Sequence, residues 1–321
     1  MTAKRDTFEG LIGQEAVKRK LNFYINAFKS TSRMPFLLFN SGKGMGKTAF
    51  ARATARSLTN RDGRPRPILE LNSASVRNNA MFFEQVFLSY MNGKEITVFF
   101  DEAHNLPNDF TQVLLTLCNI EADPVREFEW EGVSHTFDFT KVSFFFATTE
   151  ADKLFPPLKD RLDLVSFGRY SEDELIQIMK ISNDTFTLND PHLEAIVANT
   201  LRGNPRFAVR RSQEIEAICA SKKVQRFTEK IWGELCYHLD IKPYGLTSGE
   251  IEILRVLNKR GPTTLTGLGQ ATDMSVSSIR RDIENYLVRC GFMKIEGLRK
   301  ITPAGSNLLK ELDKLNIPTI I

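Results

Sequence analysis

Short, almost wholly apolar runs recur through the first half of the chain, at Phe36–Phe39, Ile96–Phe100 and Val142–Ala147. Runs of this kind suit strands covered on both faces, as in a parallel sheet. Between them the apolar positions switch to helical spacing. Val17, Leu21, Tyr24, Ile25 and Phe28 share one face of a helix expected over Glu15 to Phe28, and Phe110, Val113, Leu114 and Leu117 share one over Asn108 to Asn119. Pro67–Asn72 reads as a second strand, Ala80 to Tyr90 as a helix, and Leu164–Phe167 as the strand that closes the sheet. One segment departs from this alternation: Glu127–Phe139 alternates apolar and polar residues about Gly132, the pattern of a β-hairpin. From Ser171 onward helices follow one another, over Glu172–Ile181, Pro191–Asn199, Pro205–Lys222 and about Phe227–Leu239. The pattern predicts an α/β fold, a parallel sheet with flanking helices followed by a helical segment.

The junction between the first strand and the helix after it carries chemistry. Phe36–Phe39 breaks at a loop holding Gly42, Gly44 and Gly46, and the chain restarts as a helix at Lys47-Thr48. Glycines let successive N–H groups turn inward around an anion, and the helix N-terminus adds partial positive charge. Lys47 can then reach the β- and γ-phosphates of a nucleotide while the Thr48 hydroxyl takes Mg²⁺. Gly42, Lys43, Gly44, Met45, Gly46, Lys47, Thr48 and Ala49 are the expected nucleotide contacts. Ser41 stands where the phosphate-loop pattern has its first glycine, which predicts a less permissive or slightly displaced loop.

Other elements fall in place around this loop. Ile96–Phe100 ends in Asp101-Glu102, two carboxylates suited to hold the Mg²⁺ water shell (Asp101) and to activate the attacking water (Glu102). Val142–Thr149 ends in two hydroxyls, of which Thr149, or its neighbour Thr148, could reach the γ-phosphate. His104 could meet the metal shell, although a surface or capping role is expected. Leu11-Ile12 suit either an adenine or ordinary core. Arg161 stands in a polar step after the sheet, able to project towards a neighbouring subunit or to form a surface ion pair. Arg206 opens a long helix, from which it could sense the γ-phosphate. Trp130 on the hairpin is expected to be exposed, as an anchor for a partner or nucleic acid, unless it packs on its own domain.

Composition narrows the setting without choosing a partner. The 321 residues are 42% hydrophobic and 26% charged, ordinary for a globular protein, and 43 Lys and Arg against 39 Asp and Glu give +4. Cys118, Cys219, Cys236 and Cys290 are scattered with no C-x-x-C pair, which suits reduced thiols in a cytoplasmic protein. The polar start has no apolar signal region, and no run is long enough to span a bilayer.

After a linker at Lys242–Ser248 come three amphipathic helices and a hairpin, Phe292–Thr302, the layout of a winged helix. Its third helix, Ser275–Cys290, should bury Val276, Ile279, Ile283 and Leu287 and show Ser277, Ser278, Arg280, Arg281 and Asn285 outside. Arg280 and Arg281, with Lys294, Arg299 and Lys300 on the wing, are the candidate DNA contacts. From Tyr244 to Ile321 there are 11 Lys and Arg against 8 Asp and Glu, a modest bias, and protein docking is the other use of such a unit. The expected domains are 1–168, binding nucleotide and carrying the hairpin; 169–241, a helical lid; and 242–321, the winged helix.

Taken together and in this order, these motifs resemble those of AAA+ ATPases, and among them the RuvB family of Holliday-junction branch-migration motors. Phe8-Glu-Gly-Leu-Ile-Gly-Gln14 is similar to that family's entry motif, Asp101-Glu102-Ala-His104 to its D-E-x-H segment, and Ala147-Thr-Thr149 to its sensor 1. Leu158-Lys-Asp-Arg161 resembles L-R-D-R, which implies that Arg161 is an arginine finger acting in trans. Arg202-Gly-Asn-Pro-Arg206 resembles R-G-T-P-R, which implies that Arg206 is sensor 2. The resemblance implies an ATP- and Mg²⁺-dependent motor on duplex or branched DNA, assembled as a homo-oligomer, most simply a hexamer. In that family the hairpin docks on the junction-binding protein RuvA; the Phe128–Phe139 hairpin here differs and carries Trp130, which leaves its partner open. The other class compatible with these residues is an AAA+ helicase or clamp loader, or replication initiator, using ATP as an assembly switch.

Overall fold

The computed structural model describes residues 7–119 and 123–314. The chain divides into two compact units, Met1–Ile231 and Trp232–Ile321.

The first unit is built on a five-stranded parallel sheet. Its strands are β1 (Leu37–Asn40), β2 (Ile68–Asn72), β3 (Ile96–Asp101), β6 (Val142–Thr148) and β7 (Asp163–Ser166), in spatial order β2-β3-β6-β1-β7. The intervening strands β4 (Val125–Trp130) and β5 (Val133–Asp138) form the separate hairpin. Apolar residues of β6 point alternately to two cores. Phe144 and Phe146 join Leu38, Phe100 and Phe110 on one face; Phe145 and Ala147 join Leu37, Phe39, Phe99 and the helices Glu15–Thr31 and Lys47–Ser57 on the other. This is why the runs were unbroken: a central strand with helices on both faces has no wet side. Each of these fully buried phenylalanines stabilises the sheet by about 1.5–3 kcal/mol.

The segment after β2 is a helical turn, Asn79–Met81, that widens into π-helical turns over Phe82–Met91. These turns bring Phe83 under the hairpin. Its ring stacks on Phe128 at 5.3 Å and on Trp130 at 5.1 Å, and His135 lies 5.5 Å away. Trp130 is therefore half-buried and packed on its own domain, which corrects the expectation of an exposed anchor. The exposed apolar side chains of the hairpin are Val125 and Val133.

Beyond the sheet the helices Glu172–Ile181, Pro191–Asn199 and Pro205–Lys222 start as their sequences dictate. Ser171 and Glu174 form a capping box, Asp190 and Asn204 cap the next two, and prolines occupy the first helical positions. Cys118 and Cys219 are buried thiols. No helix among the described residues is long and apolar enough to cross a membrane.

The second unit contains the helices Ser248–Arg260 and Leu265–Thr272, a third helical stretch from Val276 to Arg289 with π-helical turns over Ile279–Glu284, and a hairpin of β8 (Met293–Glu296) and β9 (Leu298–Ile301). The helix Pro303–Lys314 packs its Leu308, Leu309 and Leu312 into the core with Leu254, Ile279 and Leu287. Val276 differs from expectation: it is exposed, while Ile279, Ile283 and Leu287 are buried.

Candidate active site

In an open parallel sheet, ligands collect where the strands end at their carboxyl side. Asn40 of β1 lies level with Thr148 of β6, and Asp101 of β3 ends the strand beside it. The loop from Ser41 to Gly46 rises from this edge. Gly44 and Gly46 take left-handed backbone, at φ 81° and 96°, whereas Ser41 and Gly42 do not. A serine thus costs nothing at position 41, and the expected displacement is not needed.

Lys47 is folded back under the loop. Its Nζ donates to the carbonyls of Ser41 at 2.9 Å and Gly42 at 3.1 Å. Burial holds its pKa below the usual lysine value, opposed by the nearby Glu102 and Asp101 carboxylates. A buried ammonium whose partners are carbonyl oxygens suits an incoming polyphosphate.

A cavity of about 700 Å³ opens above the loop, a size suited to a nucleotide. Lys43 to Ala49, Asp101, Glu102, Leu11, Ile12 and Arg206 all line it, as the sequence suggested. Gly42, Thr149 and Arg161 do not line it. Leu11 and Ile12 are held there by the residue that ends their turn: Gln14 Nε2 donates to the Gly168 carbonyl at 2.9 Å, and Gly168 N–H donates to Gln14 Oε1 at 2.8 Å. Ile178, Ile181, Pro205 and Val209 add apolar wall, and Gln213 adds an amide. These were missed because they lie on helices whose apolar faces look like core. Tyr170 was missed too. Its hydroxyl donates to the Met45 carbonyl at 3.3 Å, and burial pushes its pKa up to about 12.

Thr149 stands beside the cavity and donates to Glu102 Oε2 at 3.1 Å, so it fixes the carboxylate expected to orient water. Thr148 is buried and bonds His104 instead. His104 corrects the expectation of a surface role: its Nδ1 is 2.9 Å from Thr148 Oγ1 and its Nε2 is 3.1 Å from Glu150 Oε2. Glu102 itself adopts left-handed backbone at φ 52°, a conformation costly for a non-glycine residue and often found at functional sites. Arg161 is half-buried, its Nη1 donating to the Pro157 carbonyl at 2.5 Å.

The residues present fit MgATP. Thr48 and Asp101 supply the hard oxygen donors that Mg²⁺ prefers, Lys47 and Arg206 supply cations, and the loop supplies backbone N–H groups.

In the second unit the third helix shows Ser277, Arg280, Arg281 and Asn285 to solvent. Arg281 donates to Asp282 at 3.0 Å and 3.2 Å. On the wing, Lys294 and Lys300 both pair with Glu296, at 3.0 Å and 3.1 Å. Arg299 is a correction: it turns inward and pairs with the buried Glu284 at 2.5 Å. If this exposed face meets DNA, as the winged-helix layout suggests, replacing Arg280 with alanine weakens that binding and lowers its logarithmic salt slope by about one. The Arg299→Ala change is expected to leave that slope alone and to cost about 3 kcal/mol of stability, because it strands a buried carboxylate. Titrations at several salt concentrations, with a thermal melt of each variant, check both.

Fold and site together define a P-loop ATPase of the AAA+ class. Within that class the chain belongs to the RuvB family: the Holliday junction DNA helicase RuvB P-loop domain matches residues 4–167, and the RuvB C-terminal winged helix domain matches residues 243–310. Similar proteins include the RuvB subunit of the Holliday junction branch migration complex from Wolbachia sp. subsp. Brugia malayi, 26% identical over 302 residues, covering 92% of this chain and 89% of that one. The same subunit from Lawsonia intracellularis is 27% identical over 299 residues, covering 89% and 83%. Among solved structures, the Thermotoga maritima RuvB Holliday junction branch migration motor shares the fold, with a TM-score of 0.75, 22% identity, and coverage of 95% of this chain and 97% of that one.

Proposed function

We propose that this protein is an ATP-driven motor that moves branched duplex DNA, working as a homo-oligomeric ring of about six subunits in the cytoplasm. The observation that carries the reading is the convergence of the expected phosphate, metal and water-activating groups on one cavity at the carboxyl ends of the strands. Lys47, Asp101, Glu102 and Arg206 line a single cavity, and Thr149 holds Glu102 from outside it. Glu102 accepts a proton from the attacking water as its oxygen bonds to the γ-phosphorus. The bond from that phosphorus to the β-phosphate oxygen breaks, releasing ADP and phosphate. Bound Mg²⁺, held by Thr48 and Asp101, would neutralise charge on the β- and γ-phosphates. Lys47 steadies the same oxygens, and Arg206 senses the terminal phosphate from the lid. Arg161, outside its own cavity, completes the site of a neighbouring subunit.

Arg280 and Arg281 on the exposed helix are the groups we assign to DNA, with Lys294 and Lys300 contributing once released from Glu296. The hairpin offers Val133 and Val125, not Trp130, to any protein partner. The relatives named above are branch-migration subunits, which favours a motor over the loader or initiator. Steady-state ATP turnover with and without duplex DNA tests the choice: strong stimulation by DNA supports the motor, and slow turnover indifferent to DNA supports the switch.

A further inference from the structure

We propose that Asn204 is a positioning residue that ties the helical lid to the phosphate-binding loop and thereby aims Arg206 at the bound nucleotide; this rests on the nucleotide-site reading above. The Asn204 side chain does two jobs with its two ends. Its Oδ1 accepts from the Arg206 N–H at 2.9 Å and caps the helix Pro205–Lys222. Its Nδ2 donates across the sequence to the Lys43 carbonyl at 2.8 Å. An amide accepts at the cap through its oxygen and donates to a carbonyl through its separate nitrogen at once.

The phosphate loop is shaped for this contact. A Cβ placed on Gly44 would lie 2.5 Å from Asn204 Oδ1 and 2.9 Å from Arg206 Cβ. The absent side chain at Gly44 is thus the space in which the lid sits down on the loop. Two residues beyond the tether, Arg206 lines the same cavity as Lys47. The carbonyl that Asn204 holds belongs to a loop whose N–H groups would face phosphate, so a change in the loop moves the first turn of the lid helix directly.

Serine separates the two jobs, because it caps a helix as well as asparagine does but is too short to reach Lys43. In the full-length protein, binding of a fluorescent ATP analogue with Mg²⁺ should weaken about three- to tenfold in Asn204→Ser, the effect of one lost hydrogen bond. Its melting temperature should fall less than that of Asn204→Ala, because serine keeps the cap. Asn204→Ala should show the same loss of binding and also melt lower, having lost the cap as well. In an Arg206→Ala background, Asn204→Ser should weaken binding no further, since it acts through that arginine. Unchanged affinity in Asn204→Ser would reduce Asn204 to a helix cap and overturn the proposal, as would an undiminished loss in the Arg206→Ala background. A parent protein that binds no analogue would overturn the nucleotide site itself, an outcome distinct from either.

Discussion

Replacing Glu102 with glutamine should lower ATP turnover at least a hundredfold while leaving nucleotide binding intact. The amide keeps the size of the side chain and an acceptor for the Thr149 hydroxyl, which reaches Glu102 Oε2 at 3.1 Å. It removes the charge that draws a proton from water, and a positioned general base contributes about 10²–10⁴ in rate. Lys47, Thr48 and Asp101, the groups proposed for the phosphates and Mg²⁺, are untouched by the change. Equilibrium binding of ATP beside phosphate release over many turnovers separates the two effects. Equal losses in binding and turnover would instead mean that Glu102 holds the loop together, a role its left-handed backbone makes worth testing.

Arg161→Ala should lose about 10³-fold or more in turnover, the usual contribution of an arginine supplied to a phosphoryl-transfer site. The informative experiment mixes two inactive proteins. A subunit with Glu102→Gln still offers Arg161 to its neighbour, and a subunit with Arg161→Ala still has an intact carboxylate. If Arg161 acts in trans, mixing the two restores part of the turnover in proportion to the mixed contacts. If Arg161 only steadies its own turn through the Pro157 carbonyl, 2.5 Å away, the mixture stays inactive. Oligomer size measured for each variant shows that any loss is not a failure to assemble.

The sheet was legible because its strands have one physical solution. Runs such as Phe144-Phe145-Phe146 exclude a wet face, and alternation across the strand places each ring in a separate core. The phosphate loop was legible because strand, glycines, lysine and helix follow one another without interruption. What escaped were contacts made by residues far apart in sequence. His104 finds Thr148 on the next strand, 44 residues on, which no local pattern announces. Trp130 alternates as an exposed residue should, yet π-helical turns carry Phe83 against it. Arg299 looks like a wing cation until Glu284 is seen buried beside it. Asn204 caps the helix it precedes, but its second partner lies 161 residues away on Lys43. Val276 keeps the apolar spacing of its helix, but it sits in the first turn and remains exposed.

Motion along duplex DNA is what distinguishes a motor from a switch built on the same ATP residues. It can be read directly by placing a third strand on a long duplex and following its displacement. With ATP and Mg²⁺ the protein should strip the third strand, and the Glu102→Gln variant should bind the same duplex without doing so. A protein that binds this duplex and hydrolyses ATP on it, yet leaves the third strand in place, would contradict translocation and return the chain to the class of ATP-gated switches.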